Sequence, residues 1–198
     1  MALLLSRRFF VAAGLASWAT AGGAASQRYD LVSARSRVAF LFDFSGATQT
    51  GTVPVSAADI RVDTANLTRS SADVTADVRG ARTGMVFITQ ALLSPSVLDA
   101  QNHPMVRYRS TRVRLGRDGR ISEGARIDGE LTLRGVTRPL SLDASLTRPP
   151  GSAPDDLSVL TIRLTGTLSR SAFGAIGYPK LVADPVDLDI SAEIQRRS

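Results

Sequence analysis

The chain has 198 residues, 43% of them hydrophobic and 21% charged, a balance that suits one globular domain and excludes fibrous or disordered classes. It contains no cysteine, which excludes disulfides, thiolate metal sites and cysteine nucleophiles and leaves stability to packing. The net charge of +6 is spread out, with no basic run interleaved with aromatics. Nucleic-acid binding has no support, and the charge allows at most a mild attraction to anionic membrane surfaces or head groups.

The first 25 residues read as an export signal rather than as part of the core. Arg7 and Arg8 precede an apolar stretch from Phe9 to about Ala21, followed by small residues with cleavage-like sites at Ala19/Ala21 or Gly23/Ala25. The stretch is shorter than the ~20 residues a spanning helix needs, so a retained anchor is the weaker alternative. "SRRFF" resembles the twin-arginine signal, but two arginines also open ordinary Sec signals, so both routes stay open. A chain starting near Ser26, without Arg7 and Arg8, carries +4. The expected domains are therefore a removed signal over 1–25 and a periplasmic or secreted domain over 26–198.

From Leu31 onward the dominant period is two. Val38, Phe40, Phe42 and Phe44 share one face; Val53 and Val55 lead to Ile60 and Val62; Val74, Ala76 and Val78 alternate with polar residues. In "MVRYRSTRVRLG" the apolar phase passes from Val106 and Tyr108 to Val113 and Leu115, which predicts a bulge near Ser110 or Thr111. Asp118-Gly119 predicts a tight turn. Leu131 and Leu133 then alternate up to a Gly-Val-Thr-Arg-Pro turn, and Leu140, Leu142 and Ala144 resume beyond it. "TRPPGSAPDD" is a loop by composition, followed by alternating strands through Leu164 and through Leu188.

One stretch breaks the period. Over residues 84–99, "GMVFITQALLSPSVLD", Phe87, Ala91 and Leu92 fall at helical spacing, with Pro95 placed to start a second helical turn and Ser94 to cap it. About eight one-faced strands with one short helical insertion between the third and fourth predict an all-β, closed antiparallel barrel, because closure removes the edges that a sandwich would expose. Its interior is either filled by side chains or holds a ligand.

Catalytic chemistry has little to draw on. His103 is the only histidine and is followed directly by Pro104, Asp155-Asp156 sits in a loop, and Asp187 and Asp189 occupy the wet face of the last strand. No phosphate loop, nucleotide fingerprint or calcium loop is present, and no metal or cofactor is expected.

Several motifs nevertheless carry a family likeness. "YDLVSARSRVAFLFDFSGATQTGTV", with Asp30, Ser36, Val38, Phe40 and Gly51, the step "RTGMVF", the run "LDAQNHPMVRYRST", the hairpin "GELTLRGVTRPLSL" and the step "LSRSAFG" together resemble the YceI family. The resemblance implies a lipocalin-like barrel with a long apolar cavity for polyisoprenoids, such as isoprenoid quinones or polyprenyl phosphates, or similar amphiphiles. This chain departs from the family in one place: an Arg-Asp-x-His-Leu cluster is replaced around Ile88, Thr89, Ala91 and Leu92.

On this likeness the cavity residues are Phe40, Phe42, Phe44, Val53, Phe87, Leu92, Leu93, Val97, Leu98, Tyr108, Leu131, Leu133 and Phe173. A tail of ~40 carbons at ~0.8 kcal/mol per buried methylene supplies affinity without identity. Head-group choice then falls to polar residues at the mouth, for which Arg138, Arg170, Tyr178 and Lys180 are the candidates. The segment from Phe87 to Leu98 is expected to cover the mouth, since its apolar residues exceed what one face of a surface helix can hide. Expected partners are the lipid, a transient contact with a membrane or membrane cytochrome, and a second copy in a homodimer. Competing functions are a barrel acting through its outer surface on such a cytochrome, and a hydrolase or isomerase of lipid-like substrates using His103.

Overall fold

The protein is described by a computed structural model over residues 26–116, 124–153 and 156–197. The expected export signal, the turn at Asp118-Gly119 and Asp155 lie outside these residues. In chain order the elements are β1 (Gln27–Leu31), β2 (Arg37–Phe44), β3 (Ala47–Val53), β4 (Val55–Val62), β5 (Ser71–Asp77), β6 (Arg82–Thr83), α1 (Val86–Leu93), β7 (Met105–Leu115), β8 (Ala125–Leu133), β9 (Val136–Thr147), β10 (Val159–Ser169) and β11 (Val182–Arg196).

Every pairing is antiparallel, and eight strands close a barrel in the order β1-β4-β5-β7-β8-β9-β10-β11 and back to β1. β2 and β3 continue β1 and β4 beyond two breaks, so the chain makes eight passes, and the short β6 pairs with β3. One break is the 3-10 turn Ser33–Arg35; the other is Pro54, which has no N–H to give to a ladder. Ser36 fastens the first break, since its Oγ donates to Val32 O at 2.9 Å and accepts from Glu193 N at 3.0 Å on β11. The expected barrel, with a single short helix between the third and fourth passes, is the fold observed.

The predicted bulge is present, with the β7–β8 register shifting between Ser110 and Arg112. It lets Tyr108 face inward on one side of the shift and Val113 be buried on the other. The hairpin after Leu133 is tighter than its sequence suggests. Arg134 and Gly135 alone make the turn, with φ of 53° and 73°, and Val136 already pairs with Leu133. Two consecutive residues with positive φ match the twist of the flanking strands, so Val136 to Pro139 belong to β9.

The helical insertion is one helix and not two. Ser94 closes α1, its Oγ donating to Ala91 O at 2.6 Å, and its ψ of 160° is extended because Pro95 follows and disfavours the helical region. Residues 95–98 turn back over the barrel instead.

Alternation of direction puts the β2–β3, β5–β7, β8–β9 and β10–β11 connections at one end of the barrel. The other end is closed by Tyr29, Ile60, Val62, Leu160 and Ile194, with Tyr29 OH donating to Leu157 O at 2.7 Å. Outside, arginines pair with aspartates along the strands, as in Arg107–Asp73, Arg126–Asp143 and Arg163–Asp189. These exposed pairs are worth little individually, and they leave the apolar face no alternative but the interior.

Candidate functional site

The inward faces of the strands enclose a cavity of about 620 Å³. That lies within the roughly 300–1,000 Å³ of ligand sites, so the interior is not filled by its own side chains. Exposed Phe87, Tyr178 and Leu181 belong to its lining, which places the mouth at the end carrying α1 and the β10–β11 connection.

Of the cavity residues expected from sequence, Phe40, Phe42, Phe44, Val53, Phe87 and Leu92 line it, as do Val97, Leu98, Tyr108, Leu131 and Leu133. Leu93 and Phe173 do not. Leu93 sits one residue, about 100° of helix, past Leu92 and is carried off the lining face. Phe173 is buried behind the wall, packed with Leu131, Leu133, Leu140 and Leu142. Ile88, one of the apolar residues of the segment expected to cover the mouth, lines the cavity too. Sequence reasoning passed over Val106, Leu142, Leu164 and Leu188, which also line it. Their alternation marked them as core, and core and cavity lining share one signal in a barrel.

Close approach shapes the wall at two glycines. A Cβ on Gly51 would lie 2.1 Å from the Phe40 ring, and one on Gly129 would lie 2.5 Å from Tyr108 Cζ. Each aromatic therefore lies flat over a bare stretch of the neighbouring strand. Tyr108 OH donates to Ile127 O at 3.1 Å, and burial, aided by the charge of Asp128, pushes its pKa up to about 12. Its hydroxyl is thus kept neutral and occupied by backbone.

The polar candidates separate sharply. Arg170 lines the cavity and is 8% exposed, but its guanidinium donates to the carbonyls of Ala183 (3.0 Å), Gly177 (2.8 Å), Val182 (2.9 Å) and Ala175. Four of its five N–H groups hold the β10–β11 connection in shape, which makes it foremost a scaffold for the rim. Ser171 N donates to Asp184 Oδ1 at 2.9 Å, and hydrogen bonds from Ser169 and Ser171 keep the Asp184 carboxyl below its usual range. Arg138 and Lys180 are exposed and outside the lining; Arg138 Nε reaches Ala172 O at 3.4 Å. Tyr178 remains: it lines the mouth, is half exposed, and its hydroxyl has no hydrogen-bond partner among the described residues. His103 lies outside the lining, 3.8 Å from Asp99 and against Gly135.

The segment from Phe87 to Leu98, the expected lid, is fastened through its backbone carbonyls. Arg134 Nη1 donates to Pro95 O at 2.7 Å and Val97 O at 2.9 Å, and Gly177 N donates to Ser96 O at 2.7 Å. At the helix start, Thr83 N donates to Thr89 Oγ1 at 3.0 Å. Thr89 occupies part of the stretch where the charged cluster is replaced, and it serves as an anchor for α1.

Comparison with solved structures places this barrel among known ones. BcnA of Burkholderia cenocepacia superposes with a TM-score of 0.71 at 18% identity, over 83% of this chain and 99% of its own. A polyisoprenoid binding domain from Saccharophagus degradans, implicated in plant cell wall breakdown, gives 0.60 at 11% identity over 86% and 99%. The YceI protein of Campylobacter jejuni gives 0.59 at 20% over 72% and 81%. No curated protein sequence matches the chain. The model of the YceI-like domain matches residues 29–194, which take in part or all of every strand of the closed barrel, and the chain therefore belongs to the YceI-like domain family.

Proposed function

We propose that the protein is a periplasmic carrier or sequestering protein for a long-chain isoprenoid, a quinone or a polyprenyl phosphate, with the tail in the barrel and the head at the mouth. The observation that carries this reading is the cavity itself: about 620 Å³ lined almost wholly by apolar side chains, with Ser36, Tyr108, Arg170, Tyr178 and Ser191 as its polar members. Such a space is filled favourably by hydrocarbon at roughly 25 cal/mol per Å² removed from water, and it offers few groups that could recognise a polar metabolite. At the mouth, the hydroxyl of Tyr178 has no hydrogen-bond partner among the described residues and is placed to meet a head group. The polyisoprenoid binding domain of like fold, and the export-like residues 1–25, support the ligand class and the compartment.

Native mass spectrometry and solvent extraction of protein purified from its own host test the proposal. A co-purifying prenyl lipid is expected, and Tyr178→Phe should alter selection among head groups while retaining tail binding. A consistently empty protein that takes up neither quinone nor prenyl phosphate would overturn it. His103→Ala should leave uptake unchanged.

A further inference from the structure

Among the described residues seven large apolar side chains are exposed: Met85, Val86, Phe87, Met105, Ile176, Tyr178 and Leu181. All seven fall at the mouth end, six in the β5–β7 and β10–β11 connections and Met105 as the first residue of β7. Among the described residues the rest of the surface is ordinary, so the exposed large apolar side chains gather at one end of the barrel. Two of the seven are the most exposed and stand outside the cavity lining, Val86 at 76% and Ile176 at 64%. Burial of the tail therefore gives no reason for them to be apolar.

Charge is polarised the same way. The connections at the mouth carry Arg79, Arg82, Arg134, Arg170 and Lys180 against Asp99, and the adjoining strand ends add Asp43, Asp77 and Asp184, which leaves cations in modest excess. Arg79 is paired with Asp77 at the end of β5, whereas Arg82, Arg134 and Arg170 donate to carbonyls, which order a guanidinium without neutralising it. Lys180 is the one lysine of a chain with 24 cationic residues, and it is exposed between Tyr178 and Leu181.

We infer that the mouth end docks on the surface of an anionic phospholipid bilayer, with Val86, Phe87, Ile176, Tyr178 and Leu181 dipping into the head-group boundary and Lys180 meeting lipid phosphate. The inference rests on the carrier reading above, because a cavity whose mouth opens inside the docking patch can pass an oily tail to the bilayer without exposing it to water. Side chains that project from two separate connections suit a fluid acceptor, into whose boundary they can sink ~5–10 Å. Each cation near such a surface adds attraction that salt screens. No helix among the described residues is long and apolar enough to cross a membrane.

Flotation of the chain from Ser26 onward with phosphatidylethanolamine vesicles doped with phosphatidylglycerol, and with all-phosphatidylcholine vesicles, tests it. Binding to the doped vesicles that weakens in high salt is expected. Val86→Ser with Ile176→Ser should lower vesicle binding about tenfold or more, while far-UV circular dichroism and uptake of a long-chain prenol from detergent micelles stay unchanged. Lys180→Glu should remove the preference for phosphatidylglycerol. Wild-type protein that takes up prenol but ignores both vesicles would overturn the docking and leave the carrier reading intact. So would flotation that is indifferent to Val86 and Ile176, or binding that appears only when membrane proteins are present. Failure of prenol uptake by the wild type counts against the carrier reading, and flotation still reports on docking separately.

Discussion

The side chain of Arg134, the first residue of a β-hairpin turn, holds the main chain of Val97 in the lid through an Nη1–O hydrogen bond of 2.9 Å, with a second bond to Pro95 O. Arg134 itself has a φ of 53°, a conformation that asparagine tolerates better than arginine. Arg134→Asn should therefore keep the turn and lose the fastening. A charged donor bonded to carbonyls is worth ~1.5–3 kcal/mol, so the amides of Ser96, Val97 and Leu98 should exchange roughly tenfold to a hundredfold faster, with global unfolding little changed. Equal protection in the variant would show that the lid is held by packing alone.

Leu92 and Leu93 separate the two faces of α1. Leu92 lines the cavity and Leu93 does not. Leu92→Asp should speed ligand release by about tenfold or more, from the loss of ~1.5–3 kcal/mol of apolar contact, while Leu93→Ser should change it little. Ligand off-rates on samples with matched circular dichroism decide this. Equal effects would mean that the lid works as an undivided apolar cap.

Gly129 lies beneath the Tyr108 ring, and its missing Cβ would also sit 2.6 Å from Arg109 O. A backbone oxygen in a ladder cannot step aside, so Gly129→Ala should cost about 1–3 kcal/mol in urea unfolding. A neutral substitution would mean that the two strands can part locally.

Tyr108 links stability to alkaline pH. Its folded pKa is raised, by burial first and by the charge of Asp128 second, from an ordinary 10 to about 12. The folded state therefore holds this proton more tightly than the unfolded chain. Its contribution is complete below pH ~10 and is lost as pH rises towards ~12. Because the ring is partly exposed, the full shift overstates the effect, and a loss of ~1–2 kcal/mol across that window is expected. Tyr108→Phe should lack this share of the slope. Tyr29, also raised by burial, contributes equally to both proteins.

Much of the barrel was legible because a one-faced strand writes its environment in alternate residues. Val38 to Phe44, Leu131 with Leu133, and Val186 to Ile190 announced an inner face, and the phase change after Tyr108 announced the bulge between Ser110 and Arg112. The role of the arginines was not legible. Arg134 stands on the polar phase of its strand with nothing in the pattern to single it out, yet it fastens the lid; Arg170 was a candidate for the head group, yet it donates to four carbonyls. Nothing in a one-dimensional pattern distinguishes a guanidinium that meets a ligand from one that meets main chain remote in sequence.

The sequence by itself determined that this chain would be all-β, closed, cysteine-free and apolar within, since periodicity and composition are local and each strand carries them independently. Only the tertiary structure decided that the interior is a cavity and not a packed core, because that depends on how far apart the walls stand, set by strand tilt, the bulge and the bare glycines under Phe40 and Tyr108. It also decided where the mouth lies. The exposed residues of α1 and of the β10–β11 connection are some 90 positions apart in sequence, and they share one end of the molecule only because antiparallel strands return the chain there.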